Sequence, residues 1–138
     1  MTTHHLSSDD IAFVRRFETG TLPAGSFHHR EHVRLAYCYL VLAAPDEACS
    51  RFRAALHGFI ARHGVNPAKY HETLTRAWVL AVAHFMAASA GAPDFASFIA
   101  ANGRLLTRDL LLLHYSPAVL GSDEARATFV EPDLAPIP

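Results

Sequence analysis

Three histidines could share one centre. His29 and His32 are three residues apart, and His71-Glu72 lies about forty residues further on. Residues at i and i+3 share a helix face, so His29 and His32 point the same way on a helix. Neutral imidazole is a good ligand for Zn, Cu, Fe or Ni. Three protein ligands leave a position open for water or substrate, as catalytic metal sites do. The expectation is therefore a divalent transition metal held by His29, His32 and His71. Glu72 is then a fourth ligand or general base. Tyr70, Thr75 and Tyr115 are candidate pocket residues, with Thr75 one turn after His71. Arg34 is a candidate for a substrate carboxylate, set against an ordinary solvated role.

Other chemistries also fit these residues. A metal-free small-ligand binder or acid/base enzyme using His71 and Glu72 predicts a deep apolar pocket at the histidine end, with imidazoles too far apart to share an ion. A third alternative is an interaction module with hydrogen-bonded structural histidines. Several motifs are excluded. His71-Glu72-Thr73-Leu74-Thr75 has Thr75 where a zinc protease has its second histidine. There is no His-Asp pair, no Gly-rich phosphate loop and no G-x-S-x-G elbow. The paired Glu-x-x-His motif of di-iron bundles is missing too.

The elements that must position these residues read as helices throughout. Ser7 caps a first helix, with Leu6 and Ile11 as a hydrophobic staple, Phe13 and Phe17 inward, and Gly20 as its stop. The second runs from about His28 to Ala44 on the stripe Val33, Ala36, Tyr37, Leu40 and Val41. Pro45-Asp46-Glu47 opens a third, which carries Phe52, Leu56, Phe59 and Ile60 and stops near Gly64. The fourth runs from near Tyr70 to Ala90 on Leu74, Trp78, Ala81, Val82 and Phe85. Short helices follow over Phe95–Ala101 and Thr107–His114, and from Ser116-Pro117 and Ser122-Asp123-Glu124. The tail from Glu131 to Pro138 is too proline-rich for helix and is expected to lie extended. No segment alternates with period two. The fold expected is one all-α domain over residues 1–138, a compact bundle of four main helices with shorter C-terminal helices.

Topology then gathers the histidines. Short turns make helices two, three and four antiparallel neighbours, so helices two and four run in the same direction. His29, His32 and His71 each extend an apolar stripe at its N-terminal end. They should converge at one end of the bundle. The other histidines rank lower: His4 and His5 in a loose N-terminus, His57 and His63 on the surface, His84 too far along its helix. His114 is an open candidate. Tyr37, Trp78, Cys38 and Cys49 read as core residues.

The stretch from Phe27 to Ala36, Tyr70-His71-Glu72-Thr73-Leu74-Thr75, and Ser122 to Phe129 leading to Pro132-Asp133-Leu134 together resemble a widespread family of small bacterial helical proteins. The resemblance spans about residues 27–134 and rests on F-x-H-x-[DE]-H and Y-H-E-T elements. It implies that His29, His32, His71 and Glu72 belong to one recurring pattern, with no activity attached. This chain has Glu31 where Asp is usual and His114 where Tyr is expected.

Composition limits the remaining choices. Of 138 residues, 51% are hydrophobic and 18% charged, enough apolar content for a core. A net charge of −1 gives no basic field for nucleic acid or an anionic membrane. Ten histidines are the unusual feature of the composition. The first ten residues have neither a basic nor a long apolar region, so no secretory signal is expected. The longest apolar run, Ala77 to Ala90, is interrupted by His84 and falls short of the roughly 20 residues that span a bilayer. A cytoplasmic protein acting on a small molecule is the expectation, with oligomeric state left open.

Overall fold

The computed structural model describes residues 3–138, so Met1 and Thr2 of the expected domain lie outside the described residues. The described chain is all-helical and contains no strand. Its long helices are α1 (Ser8–Thr19), α2 (His29–Leu42), α3 (Pro45–Arg62) and α4 (Glu72–Ala88). Shorter ones follow: α5 (Phe95–Ala101), α6 (Pro117–Leu120) and α7 (Asp123–Ala127). This is the expected architecture of four main helices with a tail of short ones.

The helix ends follow from local side-chain chemistry. A helix leaves its first N–H groups without intrahelical partners, and a cap supplies them. At α1, Ser7 Oγ accepts the Asp10 N–H and the Asp10 carboxylate accepts the Ser7 N–H, both at 3.0 Å. Gly20 ends α1 in the left-handed region at φ 79°, a conformation that other residues rarely adopt. The Glu31 carboxylate accepts the His28 N–H at 2.9 Å where α2 begins. Pro45 occupies the first turn of α3, where its missing N–H costs nothing. Asp94 Oδ1 accepts the Ser97 N–H at 2.8 Å to start α5.

Helices α2, α3 and α4 pack on one another, with α1 against α2 and α3 and α7 against α4. The core is strongly aromatic. Phe17 stacks on Phe59 with ring centroids 4.6 Å apart, and Tyr37 stacks on Phe98 at 4.8 Å. Tyr37, Tyr39 and Tyr115 are buried with their hydroxyls satisfied, donating to His5 O, Glu18 Oε2 and Val130 O respectively. Cys38 and Cys49 are buried free thiols. No helix among the described residues is long and apolar enough to cross a membrane.

Two segments differ from expectation. Residues 3–5 are held in place. His4 Nε2–H donates to Met86 O at 2.8 Å, its ring stands edge-on to Tyr37 and Phe98, and the His5 N–H donates to Ala92 O at 2.8 Å. Gly91 lets Thr3 lie against it, since an added Cβ would collide with the Thr3 backbone. The segment expected as a helix over Thr107–His114 is instead a 3-10 stretch, Arg108–Leu113, set off from a preceding 3-10 turn, Gly103–Leu106, by Thr107 at ψ 110°. The proline-rich tail is non-helical as expected. It docks on residues 114–116: Leu134 N–H donates to His114 O at 2.9 Å and Ser116 N–H to Asp133 Oδ1 at 2.8 Å.

Candidate functional site

The N-terminal ends of α2 and α4 and the C-terminal half of α3 enclose a cavity of about 590 Å³. His29, His32 and His71 all line it, as does His28. The antiparallel arrangement thus brings the three histidines to one end of the bundle. The walls are apolar, from Leu56, Phe59 and Ile60 on α3 and Leu74 and Trp78 on α4. Lys69 and Arg108, both exposed, stand at its edge. No Asp or Glu lines it.

Each imidazole has a different hydrogen-bonding state. His71 is the N-cap of α4. Its Nδ1 accepts the Leu74 N–H at 3.1 Å, and its Nε2–H donates to Leu120 O at 2.7 Å. Both ring nitrogens are engaged, one as acceptor and one as donor, which defines a neutral tautomer. In this geometry His71 has no lone pair to give a metal. Its carbonyl accepts from the Thr75 hydroxyl at 2.8 Å and the Thr75 N–H at 3.0 Å. Thr75 lines the cavity, but its hydroxyl proton supports the backbone of residue 71 and not the ring.

His29 Nε2–H donates to Leu105 O at 2.9 Å, leaving Nδ1 as an acceptor. Its ring packs 4.6 Å from that of Trp78. Burial pushes its pKa down, and the positive charge of Arg108 adds to this against the Leu105 hydrogen bond. His32 stands edge-on to Phe52 at 4.9 Å and beside Phe27 at 5.9 Å. It has no protein hydrogen-bond partner among the described residues. Burial first, then the neighbouring His29, push its pKa down to about 3. Among the described residues, no group of three or more His, Cys, Asp or Glu side chains is placed to hold a metal ion.

Other candidates lie elsewhere. Glu72 follows His71 but turns away, into a shallower neighbouring groove lined also by Arg53, His57 and Arg126. It pairs with Arg53, Nε to Oε1 at 2.8 Å and Nη2 to Oε2 at 2.5 Å. Burial pushes the carboxyl up, but hydrogen bonds from Arg53 and Tyr70 outweigh it and hold the pKa below the usual carboxylate value. Glu72 therefore joins neither a histidine cluster nor an acid/base pair with His71. Tyr70 is the wall between the two spaces, lining both. Its hydroxyl donates to Glu72 Oε1 at 2.5 Å. Burial and that carboxylate push its pKa up to about 12.

Arg34 is committed to Asp10 of α1, with Nε and Nη2 at 3.0 and 2.9 Å from Oδ1, and its guanidinium lies 4.5 Å from the Phe13 ring centre. It does not reach the cavity. Tyr115 is fully buried against Val130, and His114 Nδ1–H donates to Ala135 O at 2.9 Å; neither lines the cavity. The residues that sequence reasoning missed are Lys69 and Arg108. Lys69 is the sole lysine and adjoins Tyr70, which was a usable signal. Arg108 reaches the cavity only through the tertiary placement of the 3-10 turn that carries it.

No family model matches the chain, and no curated protein or solved structure matches it.

Proposed function

We propose that the protein binds a small, largely apolar organic molecule in the histidine cavity, with neutral imidazoles as its hydrogen-bonding groups. The observation that carries this reading is the state of the three rings. His71 is consumed by the backbone, His29 keeps one free acceptor, and His32 presents both nitrogens from an apolar surround. A largely apolar concavity with a few convergent polar groups is the usual form of a small-molecule site, and 590 Å³ lies in the range such pockets occupy. Binding is favoured over acid/base catalysis for a specific reason. A general base works best with a pKa near the working pH, and that of His32 is pushed down to about 3. Glu72, the other candidate base, faces the neighbouring groove.

The three-histidine metal centre is the competing reading. It requires His71 to release Leu74 N–H and Leu120 O before it can ligate. The test is elemental analysis of the purified protein together with a fragment screen read on the histidine ring signals by NMR. Fragments that shift the His29 and His32 ring signals in metal-free protein support the proposal. Stoichiometric Zn, Fe, Cu or Ni that is lost in a His71→Asn variant would overturn it.

A further inference from the structure

Taking the cavity as a ligand site, as just proposed, we infer that its ligand is an organic carboxylate whose charge sits between Arg108 and Lys69 and whose apolar body lies against Phe59, Ile60 and Trp78. Four observations lead there. The cavity is lined by two cations and by no Asp or Glu. Among the described residues, neither Lys69 nor Arg108 has an acidic partner within ion-pair distance, a state they share with six other arginines, so both charges remain open to a ligand. The two long helices that begin here, α2 and α4, direct their positive ends toward the same space. Two neighbouring carboxylates are already engaged: Glu31 accepts the His28 N–H, and Glu72 is held by Arg53 and Tyr70 behind the tyrosine wall.

Cation charge at the mouth and apolar walls inside set the polarity of the ligand. A neutral apolar molecule would fill the walls and leave the cations unanswered. A free phosphate would meet the cations and leave the walls bare. A carboxylate on an apolar body does both. The neutral rings suit this arrangement, since His32 can donate one N–H to an anion without adding a charge, and His29 Nδ1 can accept from a ligand hydroxyl or amide. Charge-assisted hydrogen bonds from Arg108 and Lys69 would then supply the discrimination between an acid and its neutral isostere. Arg34, the candidate carboxylate binder in the sequence, has this role taken by two residues at the rim.

The experiment compares 4-phenylbutyrate with its amide, which differ in charge but hardly in shape. Binding to the full chain is measured by calorimetry at pH 7, with the His32 ring signals locating the site. The acid should bind about tenfold or more tightly than the amide, since a hydrogen bond to a charged group is worth enough for at least that factor. Arg108→Gln and Lys69→Gln, both at exposed positions that leave the core intact, should each weaken the acid and leave the amide unchanged. Equal binding of acid and amide, with His32 perturbed by both, would overturn the carboxylate and leave the cavity reading standing. An acid preference that survives both substitutions would overturn it as well. Failure of both compounds to bind or to perturb His32 would remove the cavity reading together with this inference.

Discussion

Replacing His71 separates a helix cap from a ligand. Its ring makes two hydrogen bonds, to Leu74 N–H at 3.1 Å and to Leu120 O at 2.7 Å. His71→Ala removes both. Loss of an N-cap costs about 1 kcal/mol, and loss of one further hydrogen bond costs about 1 kcal/mol. The variant should therefore be less stable by about 2 kcal/mol. His71→Asn keeps a good capping oxygen for Leu74 but is too short to reach Leu120, so about half of the loss should return. Urea unfolding measures this directly. With a slope of about 2 kcal/mol per molar, the alanine midpoint should fall by about 1 M and the asparagine midpoint by about 0.5 M. The ring signals of His29 and His32 should still respond to ligand in the asparagine variant. Wild-type stability in His71→Ala would refute the reasoning. So would an asparagine variant no more stable than the alanine one, because then the cap would contribute nothing.

Three further outcomes are expected. Asp10 is buried and accepts from Ser7 N–H, Phe95 N–H and Arg34; these bonds overcome the upward push of burial and hold its carboxyl below the usual value. Asp10→Asn should cost about 2 kcal/mol near neutral pH by urea unfolding. Because the folded pKa is depressed, that stabilisation is complete above the unfolded value of about 3.9 and is lost as pH falls through the folded one. The gap between wild type and variant should therefore narrow below about pH 4, and a pH-independent gap would count against the assignment. His32, with its pKa pushed down to about 3, makes folding favour the uncharged ring, so stability is complete above about pH 6.5 and falls on acidification toward pH 3. The contribution is at most about 1.4 kcal/mol per pH unit, reduced by water at the cavity mouth, and His32→Phe should flatten the wild-type slope in that window. Glu72→Gln weakens a partly exposed pair with Arg53 and should cost about 1 kcal/mol while leaving carboxylate binding in the histidine cavity unchanged; a loss of binding would place Glu72 in the site.

Periodicity and turn length were sufficient to place His29, His32 and His71 along one cavity, because both are properties of local sequence. A stripe positions a side chain around a helix, and a short turn sets the direction of the next helix. What those rules omit is the fate of a side chain at an element's edge. The helix expected from near Tyr70 begins at Glu72, and that small shift makes His71 the cap residue. As cap it lies in extended backbone with its ring turned back onto Leu74, and Glu72 faces a different groove. Arg34 shows a second gap. Its partner Asp10 belongs to another helix, and no local pattern marks that pair. The placement of residues 3–5 depends on Met86, Ala92 and Gly91, residues that read locally as one helix's end and the turn after it.

The positional argument that gathers the histidines also bears on their chemistry. Two helices beginning at one end of a bundle bring unpaired N–H groups and positive dipole ends to the same place. A histidine there is drawn into capping, as His71 is, and loses the lone pair that a metal needs. The remaining charge at the site has the same sign: Lys69 and Arg108 line the cavity and no carboxylate does. A divalent cation entering among these groups meets repulsion with no acidic side chain on the cavity wall to offset it, whereas an anion meets attraction, both screened by solvent at the exposed Lys69 and Arg108. Helix beginnings therefore make histidines convergent and make the space between them suited to negative charge, and the proposed ligand class rests on that shared cause.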